Sequence, residues 1–428
     1  EDASMADFAG GISGIPGQPL LPILQYLNPA FPPFPVGSLS PVFISLNGNS
    51  KIFTQEIRFT SDWEGDFQLT AGVFYSDTER FSEIPTTALP PIPGEFLDLF
   101  NQYTKEDIQE IAVFTEMVYS MTDQVRLIVG GRYFENDVSL ENFQGGTFGS
   151  GLTVSDEQSE SGFNPRLGMQ YDFSTEQMLY ITASEGYRIG GPNTIPLSVC
   201  GDDITNAGLS TSDIKSFKSD SIINYEMGLK SDLMNGRLRV NTSIYKIDWT
   251  DIQQAVSFQC GFGATVNAGK AEILGGEFEL EYVLAEDINL TVGVGYNDTE
   301  ITDNGGIDSI IEGEAIQDVP QWTVSSTLDA RFTLLDIPFF SYLSVTYVDE
   351  SEGRRQTGVD RTRDSYSLVN FRIGTDIEDS TVSFYIKNLT DEEADYGNKP
   401  PLALDTPGLK RTSVNSPRTI GVEYRYSF

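Results

Sequence analysis

The sequence contains no histidine. That excludes Ser-His-Asp and Cys-His catalysis, imidazole metal sites and an imidazole axial ligand to haem. It also removes the side chain whose charge ordinarily switches near neutral pH. Cysteine is nearly absent: Cys200 and Cys260 are too few and too far apart for a CxxC metal or redox motif. Basic residues are scarce. Lys plus Arg number 27 against 63 Asp plus Glu, a net charge of −36. Nucleic acid, which needs a basic footprint, is thereby excluded as a partner. No apolar run approaches the roughly 18 residues of a membrane-spanning helix. The chain opens at Glu1 with neither Met nor a charged-then-apolar leader, which reads as a processed product or a fragment.

What is present is aromatic and periodic. The 27 Phe, 19 Tyr and 3 Trp are too many for a solvated, disordered polymer. The dominant period is two. Ile288, Leu290, Val292, Val294 and Tyr296 alternate with Asn289, Thr291, Gly293, Gly295 and Asn297. Leu274, Phe278, Leu280 and Tyr282 alternate with Gly275, Glu277, Glu279 and Glu281. Ile420, Val422, Tyr424, Tyr426 and Phe428 do the same at the C-terminus. Successive side chains of a strand point to opposite faces, so each segment has one greasy and one polar face. The segments run about 10 to 14 residues. Ordinary strands run about five or six, whereas a tilted membrane-spanning strand needs about 9 to 11. Aromatics gather near segment ends, as an interfacial girdle requires.

The connections sharpen this reading. Fifteen strands are expected between residues 51 and 428. Tight joints fall at 62–65, 121–124, 174–175, 234–236, 285–286, 334–337 and 377–379. Long ones fall at 82–107, 139–160, 191–220, 251–270, 302–319, 349–364 and 391–416. Short and long alternate throughout, as the periplasmic turns and extracellular loops of outer-membrane barrels do. Residues 1–50, rich in Gly and Pro, read as an extracellular loop region, and 51–428 as the barrel. An alternative is open at this point. Val42 to Leu46, turning at Asn47-Gly48-Asn49, would add a sixteenth, ascending strand and give a passive porin. A surface-adhesion or secreted β-structure protein is a third reading.

Several segments resemble TonB-dependent outer-membrane receptors. They include Thr54-Gln55-Glu56-Ile57-Arg58-Phe59, Gly130-Gly131-Arg132-Tyr133 and Tyr180 through Arg188 running into Gly190-Gly191-Pro192-Asn193. Asn224-Tyr225-Glu226-Met227-Gly228, Asn267-Ala268-Gly269-Lys270, Lys387-Asn388-Leu389-Thr390-Asp391 and the ending Pro417 to Phe428 are similar too. The resemblance implies an all-β, transmembrane antiparallel β-barrel of about 22 strands with a plug domain inside it. This chain would supply about fifteen of them, with the plug absent. It implies an outer-membrane location and energy-coupled uptake of a scarce small nutrient, siderophore-type above all. The implied partners are the missing plug, the TonB system, outer-membrane lipid and lipopolysaccharide.

Candidate site residues follow. Arg132, Arg166, Arg188, Glu226, Lys230, Glu277, Glu279 and Glu281 fall on the lumen side by parity, where they face a plug or water. Tyr424, Tyr426 and Phe428 form a terminal pattern like the signal read by the barrel-assembly machinery. Cys200 and Cys260 sit in neighbouring extracellular loops, where an oxidising exterior permits a disulfide. The acidic loops, such as Asp303, Asp308, Glu312 and Glu314, offer oxygen ligands to Ca²⁺ or simply a solubilising surface. Residues 20–26 and 31–34 are an apolar ligand-contact patch or a packed loop. No catalytic constellation, resident metal or cofactor motif is found, so no enzyme is expected.

Overall fold

The computed structural model describes residues 42–88, 97–146, 151–195, 197–211, 214–258, 263–307, 311–353, 362–398 and 412–427. Fifteen strands meander through it in chain order, each antiparallel to the next. They are β1 (Val42–Ile44 continued by Asn47–Thr60), β2 (Phe67–Ala88), β3 (Leu97–Ser120), β4 (Val125–Gly145) and β5 (Leu152–Ser174). Then come β6 (Gln177–Arg188), β7 (Asp220–Leu233), β8 (Leu238–Thr250), β9 (Lys270–Ala285) and β10 (Ile288–Asp303). The last five are β11 (Trp322–Leu334), β12 (Ile337–Val348), β13 (Tyr366–Ile377), β14 (Ser380–Lys387) and β15 (Thr419–Tyr426). Among the described residues no helix is long and apolar enough to cross a membrane.

The sheet has two chemically distinct faces, and the register shows why. One cross-strand row reads Leu127, Met169, Ile181, Met227, Ile244, Gly276, Tyr296, Trp322 across β4 to β11. The next row, shifted by one residue, reads Ile128, Gly168, Thr182, Glu226, Tyr245, Gly275, Asn297. Period-two alternation in each strand, held in register by the ladder, thus sorts a greasy outer face from a polar inner one. The outer side chains are left in the open: Ile57, Val113, Phe163, Ile244 and Val422 are all exposed. So large an uncovered apolar surface requires hydrocarbon.

All seven tight joints form as expected. The connection at Leu335-Asp336 is a two-residue turn with positive φ at both residues (54° and 62°), the twist that suits a right-handed hairpin.

Two expectations are corrected. The porin alternative fails at the first strand. Val42 pairs with Ala88, Ile44 with Thr86 and Asn47 with Glu83, one unbroken register on β2. Val42–Ile44 therefore continues β1 in the same direction, Asn47-Gly48-Asn49 makes no hairpin, and among the described residues the ladder is already formed at Val42, ahead of the expected residue 51. The long connections at 82–107 and 139–160 are also mostly strand. β2 to β5 run 22, 24, 21 and 23 residues, about twice what a bilayer needs. Their upper halves stand in water, where charges such as Asp77, Glu79, Asp107, Glu135 and Asp137 break the apolar alternation without breaking the hydrogen-bond ladder.

Candidate functional site

Three of the long connections fold into a cap over the inner face. The segment after β6 contains α1 (Leu197–Asn206), flanked by the pair Gly191–Pro192 and Ser216–Phe217. The segment after β8 forms a hairpin, Gln253–Ser257 with Gly263–Asn267. Together with the loop after β10 they bury a hydrophobic core of their own: Ile195, Cys200, Ile204, Ile214, Phe258, Val266 and Ile307 among others. A solvated loop has no such core. At about 25 cal/mol per Å² of apolar surface buried, these side chains stabilise a fixed shape above the membrane.

Buried polar contacts fasten the cap to the wall. Gln158 Nε2 donates to Phe217 O at 2.8 Å, and Glu160 accepts from Ser219 N at 2.9 Å. Within the cap, Asn193 both donates to Thr265 O (2.7 Å) and accepts from Thr265 N (2.8 Å), joining its two segments. The hub is Asp220, the first residue of β7, which is only 2% exposed. Its carboxylate accepts from Arg188 N (3.2 Å) and Nε (3.0 Å), Trp249 Nε1 (3.0 Å) and Gln253 N (3.4 Å). The Arg188 guanidinium also lies over the Trp249 ring at 4.8 Å. One carboxylate thereby ties together β6, β7, β8 and the start of the cap hairpin.

Below the cap the inner wall carries aromatic rings laid flat on glycines. Phe134 lies opposite Gly162, Tyr180 opposite Gly228 and Tyr245 opposite Gly275. A Cβ on any of these glycines would collide with the ring, so the missing side chain makes the seat. Phe134 stacks on Tyr187 with centroids 3.7 Å apart and planes 5° from parallel. Around this stack Tyr187 Oη donates to Glu110 (3.3 Å), Asn136 Nδ2 donates to Tyr187 Oη (3.4 Å), and Arg132 pairs with Glu110. Arg132 also sits over the Phe74 ring at 4.9 Å. Farther round the wall Tyr180 donates to Glu226, Tyr245 Oη donates to Asn297 (2.6 Å), and Lys230 lies over the Tyr180 ring.

The sequence-derived residues fall as follows. Arg132, Arg166, Arg188, Glu226, Lys230, Glu277, Glu279 and Glu281 share the inner face through the cross-strand registers. They do not form one cluster. Arg132 and Arg188 lie under the cap, whereas Glu281 pairs with Arg239 at 3.4 Å near the short-turn end. Tyr424 and Tyr426 are on the exposed outer face of β15, and Phe428 lies outside the described residues. Cys200 is fully buried in α1, and Cys260 lies outside the described residues, as do residues 20–26 and 31–34. Of the acidic loop residues, Asp308 lies outside the described residues; among the described residues no three His, Cys, Asp or Glu side chains converge on a metal position. Asp303 and Asn304 instead accept from Gly305 N and Gly306 N, closing turns on themselves.

Sequence reading missed Asp220, Trp249, Asn136 and the Phe134–Tyr187 stack. Only a strand register could have found them, because it alone sets Asp220 opposite Arg188 and Phe134 opposite Gly162. A hollow of about 950 Å³ lies elsewhere, on the outer face, lined by Leu167, Ile181, Tyr225, Met227 and Ile244 among others. Bilayer hydrocarbon covers that face, so the hollow is no ligand mouth.

The profile of the family described as TonB dependent receptor-like, beta-barrel, matches residues 24–389. This chain belongs to the TonB-dependent receptor family. It is similar to the pesticin receptor of Yersinia pestis, 23% identical over 327 residues, or 75% of this chain and 44% of the relative. It is similar also to the metal-pseudopaline receptor CntO of Pseudomonas aeruginosa, 23% identical over 218 residues, or 50% of this chain and 27% of the relative. The chain thus spans less than half the length of these curated relatives. The crystal structure of the ferric yersiniabactin uptake receptor FyuA from Yersinia pestis shares its fold, with a TM-score of 0.74 and 17% identity over 92% of this chain and 56% of that one. The fifteen-strand sheet is therefore a portion of a transmembrane β-barrel of the outer membrane. The family consists of transport receptors.

Proposed function

We propose that this barrel serves energy-coupled uptake of a scarce small nutrient, a siderophore-type metal chelate, across the outer membrane. The observation that carries the reading is the fixed cap with its own core, seated over a polar inner wall. A passive pore of wide bore has no use for a structured cap packed against its inner wall, and the added strand it would need is part of β1. Of the named relatives, the metal-pseudopaline receptor supports the chelate class. In this reading the inner wall at Arg166, Glu226, Lys230, Glu277, Glu279 and Glu281 faces a plug domain. The plug is moved by TonB, lipid and lipopolysaccharide surround the outer face, and Tyr424, Tyr426 and Phe428 serve barrel assembly. A cell lacking the gene should lose uptake of at least one radiolabelled metal chelate, and a protonophore should stop the same uptake in the parent. Uptake that survives the protonophore unchanged would sink the reading.

The same cap leads us to propose that Cys200 is bonded to Cys260. A bridge between the segments after β6 and β8 restricts two long connections at once, worth about 4 kcal/mol on a loop-entropy argument. Peptide mapping without reductant should recover the two cysteines in one linked species. Recovery of two free, alkylatable thiols would count against it.

A further inference from the structure

We infer that the site under the cap selects a ligand that is neutral or positively charged and rich in hydrogen-bond donors, and disfavours an anionic one. This rests on the uptake reading above and names its ligand class. The first observation is the state of the inner-face cations. Among the described residues of β2 to β6 the arginines are Arg80, Arg126, Arg132, Arg166 and Arg188. Every one is tied to a carboxylate: Arg80 to Glu106 (3.2 Å), Arg126 to Asp172 (2.9 Å), Arg166 to Glu116 (3.4 Å), Arg132 to Glu110 and Arg188 to Asp220. The Arg166 pair reaches across Gly130, which stands between the two residues in the ladder. An anionic ligand therefore finds each of these guanidinium groups already neutralised, and displacing a carboxylate means leaving it unpaired.

The second observation is independent of charge. Asn136 is 1% exposed; its Nδ2 donates to Tyr187 Oη beside the stack, while its Oδ1 has no hydrogen-bond partner, and Oε1 of Gln158 on the neighbouring strand is unpartnered as well. Unpaired buried amide oxygens are acceptors that want donors. Hydroxyl, amide or ammonium groups supply them, and a carboxylate or phenolate does not. Beyond the site, a net charge of −36 slows the approach of anions and speeds that of cations.

The test uses the protein purified from its own outer membranes in mild detergent, with binding followed by intrinsic tryptophan fluorescence. The probes are three ferric chelates: an anionic catecholate, a neutral hydroxamate and a hydroxamate with a free ammonium. The ammonium-bearing chelate should bind about tenfold more tightly than the anionic one. Glu110→Gln frees Arg132 and should shift that ratio about tenfold toward the anion, whereas Arg132→Gln frees Glu110 and should shift it the other way. Heat-dependent electrophoretic mobility checks that both variants are folded. The inference is overturned if the anion binds as tightly as the cation, if neither variant moves the ratio in its stated direction, or if none of the probes binds. The uptake reading fails separately, if cells without the gene take up every chelate as fast as the parent.

Discussion

Replacing Asp220 by Ala should release the cap from the barrel wall while leaving the strands in the membrane. The carboxylate is almost wholly buried and accepts from Arg188, Trp249 Nε1 and Gln253 N. Its loss strands those donors together and leaves Arg188 without its counter-charge. Breaking a fully buried ion pair costs about 3–5 kcal/mol, but the Arg188 side chain is 53% exposed and regains water. A local destabilisation of roughly 2–3 kcal/mol is therefore expected, the range of one or two charged hydrogen bonds. This is enough to open the cap and not enough to unfold a barrel. Limited proteolysis should then cut between residues 189 and 219 or 251 and 269 at a rate some tens of times that of the parent, with Trp249 emission shifted to the red. Heat-dependent mobility should stay normal. If the cleavage rate is unchanged, Asp220 is not the latch.

Substituting Ile244 by Arg is expected to do the reverse and block insertion. Ile244 lies on the outer face in the middle of β8, 57% exposed. A charged side chain at the bilayer midplane costs about 2–4 kcal/mol, and hydrocarbon offers it no partner. The preceding residue, Ser243, lies on the inner face opposite Glu277. Ser243→Arg should be accepted there, because water and a carboxylate await it. The measurement is the amount of folded, heat-modifiable protein in the outer membrane. Ile244→Arg should fall well below a tenth of the parent and Ser243→Arg should remain within a factor of about two. Equal loss in both variants would mean that the two faces have been assigned wrongly.

Much of the wall was legible in the residues because strand alternation is a local property. Ile288 to Asn297 alternates in plain view, and the register of β10 merely confirms which side each residue takes. The tight turns were equally visible, since two to four residues between alternating runs leave the chain no other course. The upper halves of β2 to β5 were not visible. There both faces carry charged or polar groups, and hydrogen bonding to a neighbouring strand leaves no trace in a single segment's composition. Val42–Ile44 shows the same limit from the other side. Asn47-Gly48-Asn49 is a good turn sequence, but pairing all along β2 outweighs a local turn preference.

By itself, then, the amino-acid order determined a two-faced, membrane-inserted sheet, its strand count and the seven tight turns. These depend on residues close together in the chain. Tertiary structure decided everything that depends on residues far apart. It gathered three connections into one cap with a buried core, set Asp220 beneath Arg188 and Trp249, and seated Phe134 on Gly162 against Tyr187. It also paired each inner arginine of β2 to β6 with a carboxylate, so that a wall whose sequence offers cations presents few of them free. The physical reason is that charge neutralisation and ring stacking act through space over a few ångströms, and the chain brings those groups together only once the ladder has set its register.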